Sequence, residues 1–380
     1  MTAGPRREPR ASANRRDGRI QVAGDTRSCE CLLCVMNIAE RKGAAPWSPP
    51  VFHGGTMAAI AAPSCVFMTG GTRHNLPGVA CIVARLRALG TPHAVVVAAP
   101  TEDIEQVRDR LRGHNVSGFL AWSQVPYRYR GSNWAGSHVL DKLNVLASPY
   151  SRVVWLDPDM LVEKSIDSLC EQPHNVSLSA ALNAGVEAYT CWAPPDSAET
   201  SQRGRPVFNE RSWRCGDCAH APIDGASGSV SGSESVAGGA LPPCKYMLNS
   251  GVMSLRPLPT ATAFQRLVLE RIARGEVASR EGSDQGAINS LSYAFRLFGS
   301  SGVRILPSTF NSLARVYAIR GRSRWGEPRV IHFSGETKPW RKVGVSGGSR
   351  EQQARSLRRR IQPLLDRWED TCGRFRNLPA

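Results

Sequence analysis

Arg152-Val-Val-Trp-Leu-Asp157-Pro158-Asp159-Met-Leu-Val162 is the stretch on which the reading of this chain turns. Its Val-Val-Trp-Leu portion is a short apolar, β-favouring run of the kind buried on both faces of a sheet. The run stops at two carboxylates one residue apart, with apolar sequence on either side. Unpaired charge is costly to bury, so Asp157 and Asp159 call for a compensating cation. Pro158 brings no ladder donor and suits a strand that has just ended. Ligands of open α/β sheets bind beyond the carboxyl ends of the strands. The pattern therefore points to a divalent metal beside a diphosphate. A solvated turn is the competing reading of a lone D-x-D, and the remaining sequence has to choose between them.

Working outward, order is expected from about Ser64. Residues 65–69 read as a strand, followed by a Gly70-Gly71 loop. Val79, Ile82, Val83, Leu86 and Leu89 then fall at helical spacing before Gly90. Residues 94–98 are the next strand, with Thr101 as N-cap of a helix reaching Leu111. Residues 118–121 give a third strand, and 136–147 a helix holding Asp141, Lys142 and Asn144 ahead of the D-P-D strand. This alternation predicts a parallel sheet with right-handed crossovers. There is no G-x-G-x-x-G and no Walker A, which disfavours an ordinary dinucleotide or P-loop site.

Downstream, residues 177–182 read as a strand and 184–244 as an insertion, Ser/Gly-rich over 225–239. Its Cys191, Cys215, Cys218 and Cys244 fit either a four-thiolate zinc site or two disulfides. The pattern resumes with Leu248-Asn249-Ser250-Gly251-Val252-Met253, a helix over 261–274, and a second helix opening at Asp284-Gln285-Gly286. Strands are expected at 303–306 and 329–333, the last running into His332-Phe-Ser-Gly335-Glu-Thr-Lys338-Pro-Trp340. Beyond it lies a basic helix from 351 to 362, with Leu357 and Ile361 on one face, which Pro363 interrupts or restarts.

The length of 380 residues suits one α/β domain with additions. Of the net charge of +16, residues 1–60 hold nine Lys/Arg against five acids and residues 341–380 ten against four. The ends therefore contribute +10, and the middle is only mildly basic. Basic tails favour anionic partners such as a membrane surface, but no RNA-binding motif or His-paired zinc finger supports a nucleic-acid role. No apolar run reaches the roughly 20 residues of a membrane span. Residues 1–62 are Arg/Ala/Gly/Pro/Ser-rich and expected to be disordered. Two N-x-S sequons, at Asn115 and Asn175, matter only in a secretory protein, so the compartment stays open between the secretory pathway and the cytoplasm.

Brought to one sheet edge, Asp157, Asp159 and His332 supply two carboxylates and an imidazole without thiolate. That set suits Mn²⁺ or Mg²⁺ better than Zn²⁺. Lys338 adds a cation for a diphosphate, and Gly335 allows close backbone approach. Each residue alone has a plainer reading: Asp284 as a helix N-cap, Asn249 as a turn residue, Lys142 as a solvated helix lysine. Their order and spacing together favour the site.

The segments W-L-D-P-D-M-L-V, L-N-S-G-V-M, D-Q-G-A-I-N and H-F-S-G-E-T-K-P-W, in that order, resemble the glycogenin-like glycosyltransferases of family 8. The resemblance covers about residues 64–340 apart from the insertion. It implies a GT-A, Rossmann-like α/β catalytic domain over 63–345, between a basic segment 1–62 and a basic helical tail 346–380. It further implies metal-dependent, retaining transfer of a hexosyl group from a UDP-sugar, Mn²⁺ being the usual ion. On this resemblance Asp157, Asp159 and His332 hold the metal, and Gly335 and Lys338 hold the diphosphate. Asn249 and Gly251 lie beside the sugar, Thr69 in the nucleotide loop, and Lys142, Asp284 and Gln285 around the reacting carbon. Glu281 sits where some members carry a second carboxylate. Pro158 replaces the usual small middle residue of D-x-D, and the loop after the first strand lacks the family's uracil-stacking Tyr. The acceptor (glycan, polyol, lipid or protein), the donor sugar and a homodimeric state are left open. So is the alternative of a catalytically silent protein of this fold that binds a glycan or a partner.

Overall fold

The computed structural model of the chain describes residues 38–40, 46–53, 64–129, 139–183, 248–277, 279, 283–293, 297–298, 302–320, 327–335, 338–341, 349–376 and 378. The insertion with Cys191, Cys215, Cys218 and Cys244, most of residues 1–62, and Glu281 lie outside them.

The elements in chain order are β1 (Val51–His53), β2 (Val66–Gly70), α1 (Leu76–Ala88), β3 (Ala94–Pro100), α2 (Ile104–Arg110), β4 (Gly118–Trp122), β5 (Val153–Leu156), β6 (Met160–Val162), β7 (Leu178–Leu182), β8 (Leu248–Leu255), α3 (Asp284–Tyr293), β9 (Val303–Leu306), β10 (Ser312–Leu313), β11 (Val330–His332), α4 (Ser349–Arg360) and α5 (Gln362–Cys372). Eight strands form one sheet in the order β9-β7-β8-β5-β2-β3-β4-β1. Neighbours among β5, β2, β3 and β4 are parallel, whereas β8 runs antiparallel to both β5 and β7. A three-stranded sheet, β10-β11-β6, stands beside it. The fold is thus α/β with a mixed, mostly parallel sheet.

Alternation along the strands feeds two cores. Phe67, Val154 and Leu156 face one, packed with Val79, Ile82 and Trp368; Val66, Met68, Val153 and Trp155 face the other, packed with Leu143, Phe264 and Ile288. An apolar run without polar alternation is what a sheet covered on both faces requires.

Several local expectations are corrected. Ordered chain begins before Ser64, because Val51–His53 pairs antiparallel with β4 and closes that sheet edge. Gly118 has room for no Cβ there, since one would lie 2.5 Å from the Phe52 ring. Thr101 is not an N-cap: its hydroxyl donates to the Trp122 carbonyl, 3.1 Å, and the helix starts at Ile104. Residues Val139–Ala147 form a 3₁₀ rather than an α-helix. Here Asp141 accepts from the Val125 N–H and Asn144 donates to the Ser123 and Asp141 carbonyls. Such side-chain bonds compete with regular helix formation.

Two disulfides, Cys65–Cys170 and Cys81–Cys372, tie the sheet's outer layer together. The second pins α5 to α1. Leu364, Leu365 and Trp368 of α5 are buried, and Trp368 meets Trp340 with ring centroids 6.0 Å apart. Reducing both bonds is expected to lower the unfolding free energy by about 2–5 kcal/mol for each, read as a lower urea midpoint with and without reductant.

Candidate active site

The parallel strands deliver their carboxyl ends to one edge, and the reversed strand β8 brings a second segment to it. The Leu156–Val252 pairing of β5 with β8 sets Gly251 opposite Asp157, and the Asp157 N–H donates to the Gly251 carbonyl, 2.8 Å. From the small sheet, β11 pairs with β6 so that His332 lies opposite Met160, while the Phe333 N–H donates to the Asp159 carbonyl. Asp157, Asp159 and His332 therefore converge, each offering a ligand atom within 4.8 Å of the others. His332 Nε2 lies 3.5 Å from Asp159 Oδ2.

Pro158 acquires a reason. Its carbonyl and the Trp340 ring press on Gly78 of α1, where a Cβ would stand 2.6 Å from the indole. The middle of the D-P-D turn thus lies against α1, and its rigid φ suits a segment clamped between helix and ring.

Behind the metal-ligand group sits a buried charge cluster. Lys142 Nζ bonds Asp157 Oδ1 and Asp284 Oδ2, both at 2.7 Å, and Ser250 Oγ at 3.1 Å. Ser250 also donates to Asp284 Oδ2, 2.7 Å, and Trp155 Nε1 donates to Asp157 Oδ1, 2.7 Å. Burial works against the charged Lys142, but Asp157 and Asp284 more than offset it and hold its pKa above the usual lysine range. Asp157 itself is pushed up by burial and by Asp159 and Asp284, against the pull of Lys142 and His332. Asp159 goes the other way: burial opposes ionisation, yet Lys338 and His332 hold its carboxyl well below the ordinary range. Lys338 Nζ contacts Asp159 Oδ2 directly.

The remaining expected residues are placed as follows. Asn249 Oδ1 accepts from the Gly251 N–H, 2.9 Å. Gln285 Oε1 faces the Ser250 N–H at 3.4 Å. Gly335 has φ +70°, and a Cβ there would meet Arg315. Thr69, at the end of β2, is buried, and its hydroxyl has no hydrogen-bond partner among the described residues.

Sequence reasoning missed Arg315, Ser250 and Asn311. Arg315 is half-buried, the pKa of its guanidinium brought down to about 10 by desolvation, with Asp159 pulling the other way, and it donates to Ser334 Oγ. Asn311 bridges Asn249 and His332. Ser250 lies within L-N-S-G-V-M with no role assigned to it, and no motif announces Arg315 or Asn311; the crossing of β8 and the small sheet brings them in.

The absence of a side chain at Gly251 matters directly. A Cβ would lie 2.6 Å from His332 Cε1, 2.8 Å from Nδ1 and 2.6 Å from the Met160 methyl. Gly251→Ala is therefore expected to displace the imidazole, weaken Mn²⁺ binding at least tenfold and cost about 1–3 kcal/mol of stability. Electron paramagnetic resonance titration of Mn²⁺ and urea unfolding check the two parts.

No family model matches the chain, and no curated protein does. Solved structures do, at low similarity. The bifunctional glycosyltransferase WbbM, in its apo form, matches over 85% of this chain at 15% identity and TM-score 0.46. Only 53% of WbbM is covered, so the chain spans about half its length. The galactosyltransferase LgtC, solved with donor and acceptor sugar analogues, matches over 81% of this chain and 99% of its own at 16% identity and TM-score 0.45. Mouse xyloside xylosyltransferase 1 matches over 73% and 99% at 14% identity and TM-score 0.42. Likenesses of this degree settle no activity; the chemistry has to come from the side chains.

Proposed function

We propose that the chain is a metal-dependent, retaining glycosyltransferase using a UDP-sugar donor. The observation that carries this reading is the Asp157–Asp159–His332 group, backed by Lys338 on one carboxylate and the Lys142–Asp284 pair on the other side. The donor set fits a hard divalent cation: carboxylate oxygens and one imidazole, with no thiolate. When bound there, Mn²⁺ or Mg²⁺ would stabilise negative charge on a leaving diphosphate.

The chain's own residues supply the rest. Lys338 is the counter-ion of Asp159, and a diphosphate would offer it a second anion within reach. Gly335 leaves space for phosphate oxygens beside Arg315, whose half-buried guanidinium adds positive potential. Asp284 is oriented by Lys142 and Ser250, so its carboxylate can stabilise positive charge developing at the anomeric carbon. In that role it forms no lasting covalent bond, and the incoming hydroxyl attacks from the face the diphosphate leaves. Trapping a glycosyl–Asp284 adduct would overturn this version of retention.

We place the enzyme in an oxidising compartment, since two disulfides bind its elements and both sequon residues, Asn115 and Asn175, are exposed. Among the described residues no helix is long and apolar enough to cross a membrane. The catalytic unit in this reading is residues 63–345, with α4 and α5 packed against it. The deciding experiment is a panel of UDP-glucose, UDP-galactose, UDP-xylose and UDP-glucuronate with Mn²⁺, scoring UDP release with and without sugar acceptors. Release with at least one donor, abolished by chelator, is the expected result; release with none refutes the proposal.

A further inference from the structure

We infer that Asn311 is a positioning residue that decides which nitrogen of His332 faces the candidate metal position. The deduction starts at a group whose polarity is fixed. The Gly251 backbone N–H can only donate, and it donates to the Asn249 side chain at 2.9 Å. The atom it meets must be the Asn249 amide oxygen. That same oxygen is 2.7 Å from the Asn311 amide, so Asn311 must present its NH₂ group there. The opposite atom of Asn311 is then its oxygen, and it lies 2.9 Å from His332 Nδ1. An amide oxygen accepts only, so Nδ1 carries the hydrogen. In the neutral imidazole the other ring nitrogen, Nε2, then keeps its lone pair, and it is the one that faces Asp159 Oδ2.

A neutral imidazole ligates through its unprotonated nitrogen, and the hydrogen bond at the other nitrogen fixes ring and tautomer. Here that function falls to an uncharged relay, Gly251 to Asn249 to Asn311 to His332. Asn249 and Asn311 are both buried, as is His332, so water does not supply a substitute for either amide. The relay is built by topology. Asn311 follows the 3₁₀ turn Ser308–Phe310 and precedes β10, whose Leu313 pairs with His332 itself. Gly251 serves twice, as the fixed donor and as the bare surface on which the ring rests. The tautomer follows from the hydrogen bonds alone; its consequence for metal affinity rests on the metal reading above.

The test uses the full chain with ¹⁵N-labelled histidine, metal-free and with the imidazole neutral. Long-range ¹H–¹⁵N correlation distinguishes the two tautomers, and His332→Gln identifies the resonances by their loss. The wild type is expected to show the Nδ1–H form, and Asn311→Leu to lose that preference. An Nε2–H pattern in the wild type, or an unchanged Nδ1–H pattern in Asn311→Leu, overturns the inference. If Asn311→Leu does not fold, the wild-type spectrum decides alone. Mn²⁺ titration is expected to show binding weakened by about 10–100-fold in Asn311→Leu, and equal affinity counts against the inference. A wild type that binds no Mn²⁺ while showing the Nδ1–H form refutes the metal reading and leaves the relay standing.

Discussion

Asp159→Asn is expected to abolish Mn²⁺-dependent UDP release, lowering it by at least about 10³-fold, or roughly 4 kcal/mol of barrier. Asp159 has no second task that would mask this loss. Its carboxylate is nearly fully buried, and its partners are Lys338 and His332. The amide that replaces it keeps the shape but loses the charge that holds a divalent ion. Stability should change far less, because Lys338 is 22% exposed and can turn toward water when its partner is gone. What stability Asp159 does contribute has a defined pH window. Its folded pKa is depressed, so the contribution is present above the unfolded carboxylate value and lost as pH falls toward the folded one. Wild type and variant should therefore converge in urea unfolding as the solution is acidified, while differing in Mn²⁺ titration at neutral pH. Turnover within tenfold of wild type would remove Asp159 from the metal site.

The residues with charge or a repeated pattern were legible before any coordinates. Two carboxylates after an apolar run, an imidazole in the closing H-x-x-G-x-x-K, and Asp284 at a helix start all stand out because such groups are costly to bury without a purpose. The first parallel strands were also legible, since an unbroken apolar run, unlike an alternating one, implies cover on both faces. What periodicity could not show is strand order. Nothing in L-N-S-G-V-M states that β8 inserts antiparallel between β5 and β7, yet that crossing puts Ser250 on Lys142 and Gly251 under His332. Asn311 and Arg315 are similar cases: an Asn after a turn and an Arg in a short helix are ordinary until the small sheet turns them inward. The disulfides were equally hidden, because their partners are 105 and 291 residues apart and cysteine spacing alone does not give connectivity. The irregular 3₁₀ segment at Lys142 escaped for a local reason, its polar side chains having taken over backbone bonds.

Lys142→Met should produce the largest loss of stability of any single change at the site, about 3–5 kcal/mol, the range for removing one partner of a buried ion pair. Lys142 is 10% exposed and neutralises two carboxylates at once, Asp157 and Asp284. Methionine fills a similar volume, so the loss is one of charge rather than packing. Two largely desolvated carboxylates would then lie near each other with no cation between them. The sign of the pH response separates this cause from a packing defect. Asp157 is already pushed above its ordinary value in the wild type, and without Lys142 it rises further. A carboxylate whose folded pKa is raised binds a proton more readily in the folded state, which stabilises that state as pH falls. The variant's deficit should therefore narrow between neutral pH and about pH 5, before the unfolded carboxylates protonate near 3.9. The second substitution Asp157→Asn in the same chain should recover part of the loss at neutral pH, because it removes one of the uncompensated charges. Urea unfolding of wild type, single and double variants at two pH values measures both effects. A deficit that stays constant with pH, and is not relieved by Asp157→Asn, would show that Lys142 acts through packing alone.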